Sequence, residues 1–314
     1  EKETGIKVEV DFTEYAKLKD KQVLELSKPA GDYDVVAWTV FEKGEYVAKG
    51  LLAPLSQYFA IPALVDPNYD ADDITKAFLY SGALVGGKKG YLPGPTQALY
   101  GVPFGPETSI LAYRKDIFEQ YKLKVPETYD EMLQTAEWIS KNVPNMKGIA
   151  SRGASGHQIV HAYLLHLSPL GGQIFDDKWN PVVNDATGVK AAETLKKIMD
   201  NAQAGVNTAD FGAETNAFLQ GNVAMFVDAH KIAAMSRDPK QSKEYPVIVK
   251  QLECAAVDWR PLIPEWQGIN APILGVELSE FATGKKTAKQ ALDDAAKKIR
   301  AEMERAGYYS WTSK

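Results

Sequence analysis

Cysteine is nearly missing. Cys254 stands alone in 314 residues, which excludes an internal disulfide framework and leaves the redox compartment open. Long apolar runs are missing as well, since no stretch approaches the roughly 20 residues that span a bilayer. The first residues, EKETGIKVEV, have neither the basic n-region nor the apolar h-region of a secretory signal, so an exported protein would be met here in processed form. Positive charge is not in excess: 36 Lys and Arg against 41 Asp and Glu give a net charge of −5. That argues against a phosphate-tracking surface and against nucleic acid as a partner. What is present is ordinary for a globular chain, 45% hydrophobic and 25% charged, long enough for one large domain or two ordinary ones. Six Trp, 15 Tyr and 11 Phe suffice for a stacking site, although most aromatics fill cores.

The pattern alternates strands with helices, the mark of an α/β fold with parallel strands. KVEVDF (Lys7 to Phe12) alternates as a strand does, a helix carries Val23, Leu24 and Leu26, and DYDVVAW (Asp32 to Trp38) reads as a buried strand. Thr128 with Glu131, and Thr287 with Gln290, are capping boxes ahead of apolar stripes. A further helix is expected from about Asp185 to Gly205, burying Ala191, Leu195, Ile198 and Ala202, and NVAMFVDAH (Asn222 to His230) reads as an apolar strand with a polar end.

Three enzyme signals fail on inspection. GALVGGKK (Gly82 to Lys89) has the spacing of a phosphate loop, but Lys89 stands where a Ser or Thr should hold Mg²⁺. The stretch also follows a helical pattern and precedes GYLPGPTQ, whereas a phosphate loop joins a strand to a helix. HQIVH puts His157 and His161 at metal-ligand spacing, but Gln158 replaces the Glu that a zinc protease uses as base. An apolar stripe of Val160, Tyr163, Leu164 and Leu167 accounts for that helix without a metal. No G-x-S-x-G elbow occurs, and GASGH (Gly153 to His157) lacks its flanks.

DYDVVAWTVFEKGEYVAKGLLAPL (from Asp32), ALYGVPFGPETSILAYRKDIFEQYKLKVPETYDEML (from Ala98) and AFLQGNVAMFVDAH (from Ala217) come in an order that resembles the extracytoplasmic solute-binding proteins of carbohydrate importers, the family that includes maltose-binding protein. The closing RPLIPEW and ATGKKTAKQALDDAAKKI fit the same resemblance. It implies a two-lobed periplasmic-binding-protein fold (type II), each lobe an α/β sheet flanked by helices, with residues 1–106 as the N-terminal lobe and 107–314 as the C-terminal lobe. It implies a monomeric receptor that binds a sugar, oligosaccharide or polyol in the cleft, closes by hinge motion and delivers the ligand to the membrane permease of an ABC importer. No catalytic residue, metal or cofactor belongs to that reading. The location it implies is the periplasm, or the outer face of the membrane by a tether. A non-carbohydrate solute (a polyamine, an oxyanion or a sulfonated sugar) and a metal-dependent hydrolase stand as alternatives.

Relative to that family the first lobe lacks its opening strand and a return segment, so a chain break is expected between Lys243 and Glu244. Ligands in open parallel sheets bind beyond the carboxyl ends of strands, and sugars need aromatic faces together with directional polar partners. Those rules select Trp38, Thr39, Phe41 and Glu42 after the first buried strand, and Glu107 and Thr108 at the lobe crossing. They also select Arg152, Gly153 and His157 in SRGASGH, Asp228 and His230 after the AMFV strand, and Arg260 and Trp266 in WRPLIPEW.

Overall fold

Helices form where the sequence supplies a cap and an apolar stripe together. The computed structural model describes residues 2, 4–74, 76–87, 92, 94, 97–105, 108–229, 250 and 259–310. The expected break between Lys243 and Glu244, and the site candidates Glu107 and His230, lie outside the described residues. Contacts divide the chain into two units. Unit 1 comprises Glu1–Asp70, Gly82–Val102 and Leu262–Pro264, and unit 2 comprises Ala71–Ser81, Pro103–Pro261 and Glu265–Lys314. Among the described residues no helix is long and apolar enough to cross a membrane.

In unit 1, helix α1 (Tyr15–Leu26) is anchored by a buried amide. Gln22 Nε2 donates to the Ala37 carbonyl at 2.7 Å, and its Oε1 accepts from the Tyr46 hydroxyl at 2.9 Å. Helix α2 (Lys43–Ala48) opens on a fully buried lysine, whose Nζ donates to the Leu84 carbonyl at 2.9 Å. Leu84 belongs to β1 (Leu84–Val85), antiparallel to β2 (Ala98–Leu99). The strands expected at Lys7–Phe12 and Asp32–Trp38 do not form, and both stretches run as irregular chain. The reason is physical: alternation makes a strand only where a neighbour accepts its ladder and covers its apolar face. Val8, Val10 and Val35 are 73%, 63% and 88% exposed, and among the described residues no strand lies beside them.

Unit 2 is built on a three-stranded sheet of β3 (Ser109–Tyr113), β4 (Lys147–Ile149) and β5 (Val223–Ala229), in the order β3-β5-β4. The central β5 runs antiparallel to β3, with Ser109 opposite Ala229, and parallel to β4, with Ile149 opposite Met225. Helices α3 (Lys115–Gln120) and α4 (Tyr129–Asn142) bury Ile117, Phe118, Met132, Ala136 and Ile139 with Ile149 and Met225. Each large side chain among these contributes about 1.5–3 kcal/mol of burial free energy. Gly148 lets α4 approach β4, since a Cβ there would fall 2.0 Å from the Ala136 carbonyl oxygen.

Longer helices of this unit among the described residues also include α5 (His157–Leu167), α6 (Ala186–Asp200), α7 (Phe211–Leu219), α8 (Val276–Ala282) and α9 (Ala288–Arg305). The Thr287–Gln290 box forms reciprocally at α9. At α4 the Thr128 hydroxyl accepts from Glu131 N, while Glu131's carboxylate reaches Glu127 N at 2.8 Å instead of the cap residue. Helix α6 buries Ala191, Leu195 and Ile198 as the stripe requires, but it ends at Asp200, short of Gly205, where Asn201 takes the cap position.

Candidate functional site

The parallel strands β4 and β5 point the same way in the unit 2 sheet, β5 running on to Ala229 past the Ile149–Met225 pair where β4 ends, and the chain that leaves β4 is held by an amide clamp. Gln203 Oε1 accepts from Ser151 N at 3.1 Å, and Gln203 Nε2 donates to Ser151 O at 2.7 Å. Gly153 tightens the same turn: a Cβ would lie 2.3 Å from the Val206 carbonyl oxygen and 2.7 Å from Met199 Cε. Between clamp and glycine sits Arg152, 5% exposed, aimed at the end of β5. Its Nε donates to Asp228 Oδ2 at 2.7 Å and its Nη2 to Asp228 Oδ1, a two-point fork. The same Nε lies 3.3 Å from Glu214 Oε2 on α7, Nη1 donates to Gln158 Oε1 at 3.2 Å, and the guanidinium stacks 4.6 Å from the Phe211 ring centre.

Helix α5 enters from the opposite side. His161 Nε2 lies 3.0 Å from Asp228 Oδ1, and Arg260 Nη2 meets His161 Nδ1. A guanidinium only donates, so Nδ1 accepts and the ring proton sits on Nε2, donated to Asp228. His161 is therefore neutral, and burial, with Arg260 and Arg152 assisting against Asp228, pushes its pKa down to about 4. Arg260 stacks on Trp259 at 4.2 Å, and the Trp259 indole meets His161 edge-on at 5.6 Å. One turn earlier, His157 Nδ1 accepts from Asn270 Nδ2 at 2.9 Å. Burial, then Arg260, His161 and Arg152, lower the His157 pKa to about 3.

Two buried carboxyls share this cluster with unlike fates. Burial works against the charge on Asp228, but His161 and Arg152 together hold its carboxyl well below the usual carboxylate range. Burial and the neighbouring Asp228 charge raise Glu214 well above its ordinary value, against the pull of Arg152. Of the two, Asp228 is favoured in the charged form and Glu214 is the one shifted toward protonation. The cluster thus offers fixed, directional hydrogen-bonding groups beside an aromatic face, at modest net charge. That suits the holding of a hydroxylated solute.

The structure brings Arg152, Gly153, His157, Asp228 and Arg260 into one neighbourhood of unit 2. Trp266 is fully buried, with its indole nitrogen enclosed as well. In unit 1, Trp38 is half-buried with its ring against Gly101, where a Cβ would meet Cζ2 at 2.8 Å. Phe41 and Glu42 are buried, and Glu42 Oε2 accepts from Thr39 N at 2.8 Å, as the cap of a single 3-10 turn. Among the described residues no strand precedes Trp38, Thr39 and Phe41, so the strand-end rule that pointed to them has no footing there. Thr108 is half-buried just before β3. Sequence reasoning missed Glu214, Gln203, Trp259 and Asn270, and it weighed His161 only as a metal ligand. For Glu214 a signal exists: it lies at helical spacing from Phe211, Ala217 and Phe218, a charge in the middle of an apolar face.

Comparison with known proteins adds the following. Residues 1–253 match the family model described as bacterial extracellular solute-binding protein. A mannitol-binding protein of Pseudomonas aeruginosa is 28% identical over 233 residues, covering 72% of this chain and 49% of that protein. An erythritol/L-threitol-binding protein of Mycolicibacterium smegmatis is 24% identical over 250 residues, covering 77% and 51%. The chain spans about half the length of the curated relatives it matches. Among solved structures, an ABC transporter solute-binding protein of Agrobacterium vitis with bound D-mannitol superposes with a TM-score of 0.78 at 23% identity, covering 98% of this chain and 94% of that one. The likeness shows the fold, an α/β type II periplasmic-binding-protein fold.

Proposed function

The chain belongs to the family of bacterial extracellular solute-binding proteins, and from that premise we propose that it is the receptor of an ABC importer for a small polyol or sugar. The observation that carries the reading is the buried assembly of Arg152, Asp228, His161 and Arg260 at the carboxyl ends of β4 and β5, with the Trp259 face beside it. A polyol consists of hydroxyls and C–H edges. It needs donors and acceptors fixed in advance and an aromatic face, and no reactive group. The assembly has these features, and the two relatives are named for mannitol and for erythritol or threitol.

In this reading the protein turns nothing over. It works as an extracytoplasmic carrier that hands its ligand to a membrane permease. Both ring nitrogens of His161 are engaged and His157 Nδ1 is taken by Asn270, which gives the metal-hydrolase alternative no support. Arg152 and Asp228 are spent on each other, so neither offers a free charge to a sulfonated sugar or a polyamine, which favours an uncharged ligand.

The test is a thermal-shift and calorimetric screen of the complete protein against D-mannitol, ribitol, erythritol, maltose, a sulfonated sugar and polyamines. A ligand bound only by the folded form raises the melting midpoint by mass action. Saturable binding of a polyol or sugar, weakened by Arg260→Met, is expected. Binding confined to the charged solutes, or a cooperative melt that no solute shifts, refutes the proposal.

A further inference from the structure

His161 is joined to the assembly on both sides of its ring. Its Nε2–H is given to Asp228, the carboxylate that already holds Arg152, and its Nδ1 receives Arg260. Arg260 sits over the Trp259 ring, and that ring also meets the imidazole edge-on. Helix α5 offers this ring no freedom of its own, since its neighbours Ile159, Val160, Ala162, Tyr163 and Leu164 are all buried. Asp228 is fully buried and doubly held by Arg152, so it cannot turn to suit the histidine. Orientation is therefore set in one direction, from the sheet outward: Arg152 fixes Asp228, Asp228 fixes the tautomer of His161, and His161 places Arg260 on Trp259, which is only half-buried.

We propose that His161 is a positioning residue for ligand recognition: as the neutral Nε2–H tautomer it holds the buried Arg260 over Trp259 and so sets the half-buried Trp259 face against which the polyol chain lies. The inference rests on the receptor reading above, and it goes further by naming the residue that sets the stack and the single protonation form that can do so. The other tautomer would present an N–H to a guanidinium and a lone pair to a carboxylate, losing both contacts at once. The imidazolium would keep the Asp228 contact and lose Arg260. The charged and titratable groups around the ring are Asp228 on β5, Arg152 after β4, Arg260 beside Trp259, His157 on the same helix, and Glu214 on α7 acting through Asp228. They leave the ring neutral near pH 7.

Two measurements decide it. The first is ligand-independent: ¹⁵N–¹H correlation of the histidine-labelled complete protein at pH 7. A neutral His161 with the proton on Nε2 is expected, and Arg260→Met should move the Nδ1 resonance and spare Nε2. A cationic ring, or a proton on Nδ1, overturns the proposal. The second is calorimetric titration of D-mannitol. His161→Gln retains an amide donor for Asp228 but removes the acceptor for Arg260, and should raise Kd about tenfold, the weight of one charge-assisted hydrogen bond. His161→Asn, whose oxygen falls near the place of Nδ1, should recover most of that loss while melting lower. If Trp259→Ala and Arg260→Met weaken mannitol while His161→Gln does not, the positioning role is refuted and the receptor site stands. If wild type binds no polyol at all, the receptor reading fails, and the tautomer measurement still judges the proposed alignment.

Discussion

Replacing Asp228 by Asn removes a charge and almost no volume, so its cost measures how the buried ionic cluster is balanced. Arg152 would lose the partner of its fork and remain 5% exposed. An unpaired buried charge costs about 3–5 kcal/mol. Glu214 alters the arithmetic. Its Oε2 lies 3.3 Å from Arg152 Nε, and it holds a proton because of burial, the Asp228 charge and a hydrogen bond to Asp228. Once the charge of Asp228 is gone, Glu214 ionises and inherits Arg152. Asp228→Asn alone should then cost about 1–2 kcal/mol, and Glu214→Gln alone about 1 kcal/mol, the scale of one hydrogen bond. The double variant has no carboxylate left for Arg152 and should lose about 4–5 kcal/mol, so the two changes couple by roughly 2 kcal/mol. Urea denaturation followed by circular dichroism gives all four stabilities. Infrared spectroscopy gives the protonation directly: wild type at pH 7 should show a buried carboxylic-acid C=O band that Asp228→Asn abolishes. Additivity within about 0.5 kcal/mol, or no acid band in wild type, would refute the assignment of the proton to Glu214.

The histidines should make stability fall in mild acid. The folded pKa values of His157, His161 and His166 are pushed down by burial to about 3, 4 and 4 from 6.5, so between pH 6.5 and those values the unfolded chain binds more protons. Glu214 and Glu42, both raised, act in the opposite sense above pH 4.5, and the net slope near pH 5 should be about 2 kcal/mol per pH unit. His166→Gln should flatten the slope by about half, and a flat urea-midpoint profile from pH 7 to 5 would contradict the burial argument. Lys43, lowered by burial from 10.5 to about 8, should make stability rise as pH increases between those values, by up to about 3 kcal/mol. Lys43→Met should erase that rise, which alkaline denaturation can check. Gly153→Ala should destabilise by about 1–3 kcal/mol through its clash with the Val206 backbone. On the proposed receptor reading it should also weaken polyol binding, because it displaces Arg152, and unchanged calorimetric affinity would show that the turn does not set the proposed site.

Local chemistry was legible in the sequence and pairing was not. Helices α4, α6 and α9 stand close to where Thr128, Asp185 and Thr287 place their starts, because a cap and its stripe lie within one window of chain. The stretches at Lys7–Phe12 and Asp32–Trp38 carry strand alternation without forming strands, because a ladder partner is a non-local fact that no window contains. The same division runs through the site. Arg152 and Asp228 could be picked out as polar residues at the ends of apolar strands. Glu214, Gln203 and Trp259 join them only because α7, the turn after α6 and the segment before Pro261 are brought there by packing. Even Glu214's apolar surroundings signal burial and not which charge it will meet.

The buried cluster is better understood as a device for geometry than as a source of stability. Replacing such a network by well-packed apolar residues is commonly neutral or stabilising, so its contacts are weak grounds for a stability role. What an apolar core cannot do is hold a guanidinium at a fixed angle with donors already oriented. Arg152, Asp228 and His161 satisfy one another first, and little reorganisation remains when a ligand arrives. A site of that kind discriminates by the hydroxyl it expects. A solute lacking that hydroxyl leaves a buried donor or acceptor unpaired, which costs far more than a missing methylene. With this cluster as the proposed ligand site, binding should be steeply selective against deoxy analogues of the ligand and shallow for changes in chain length at an end the cluster does not touch.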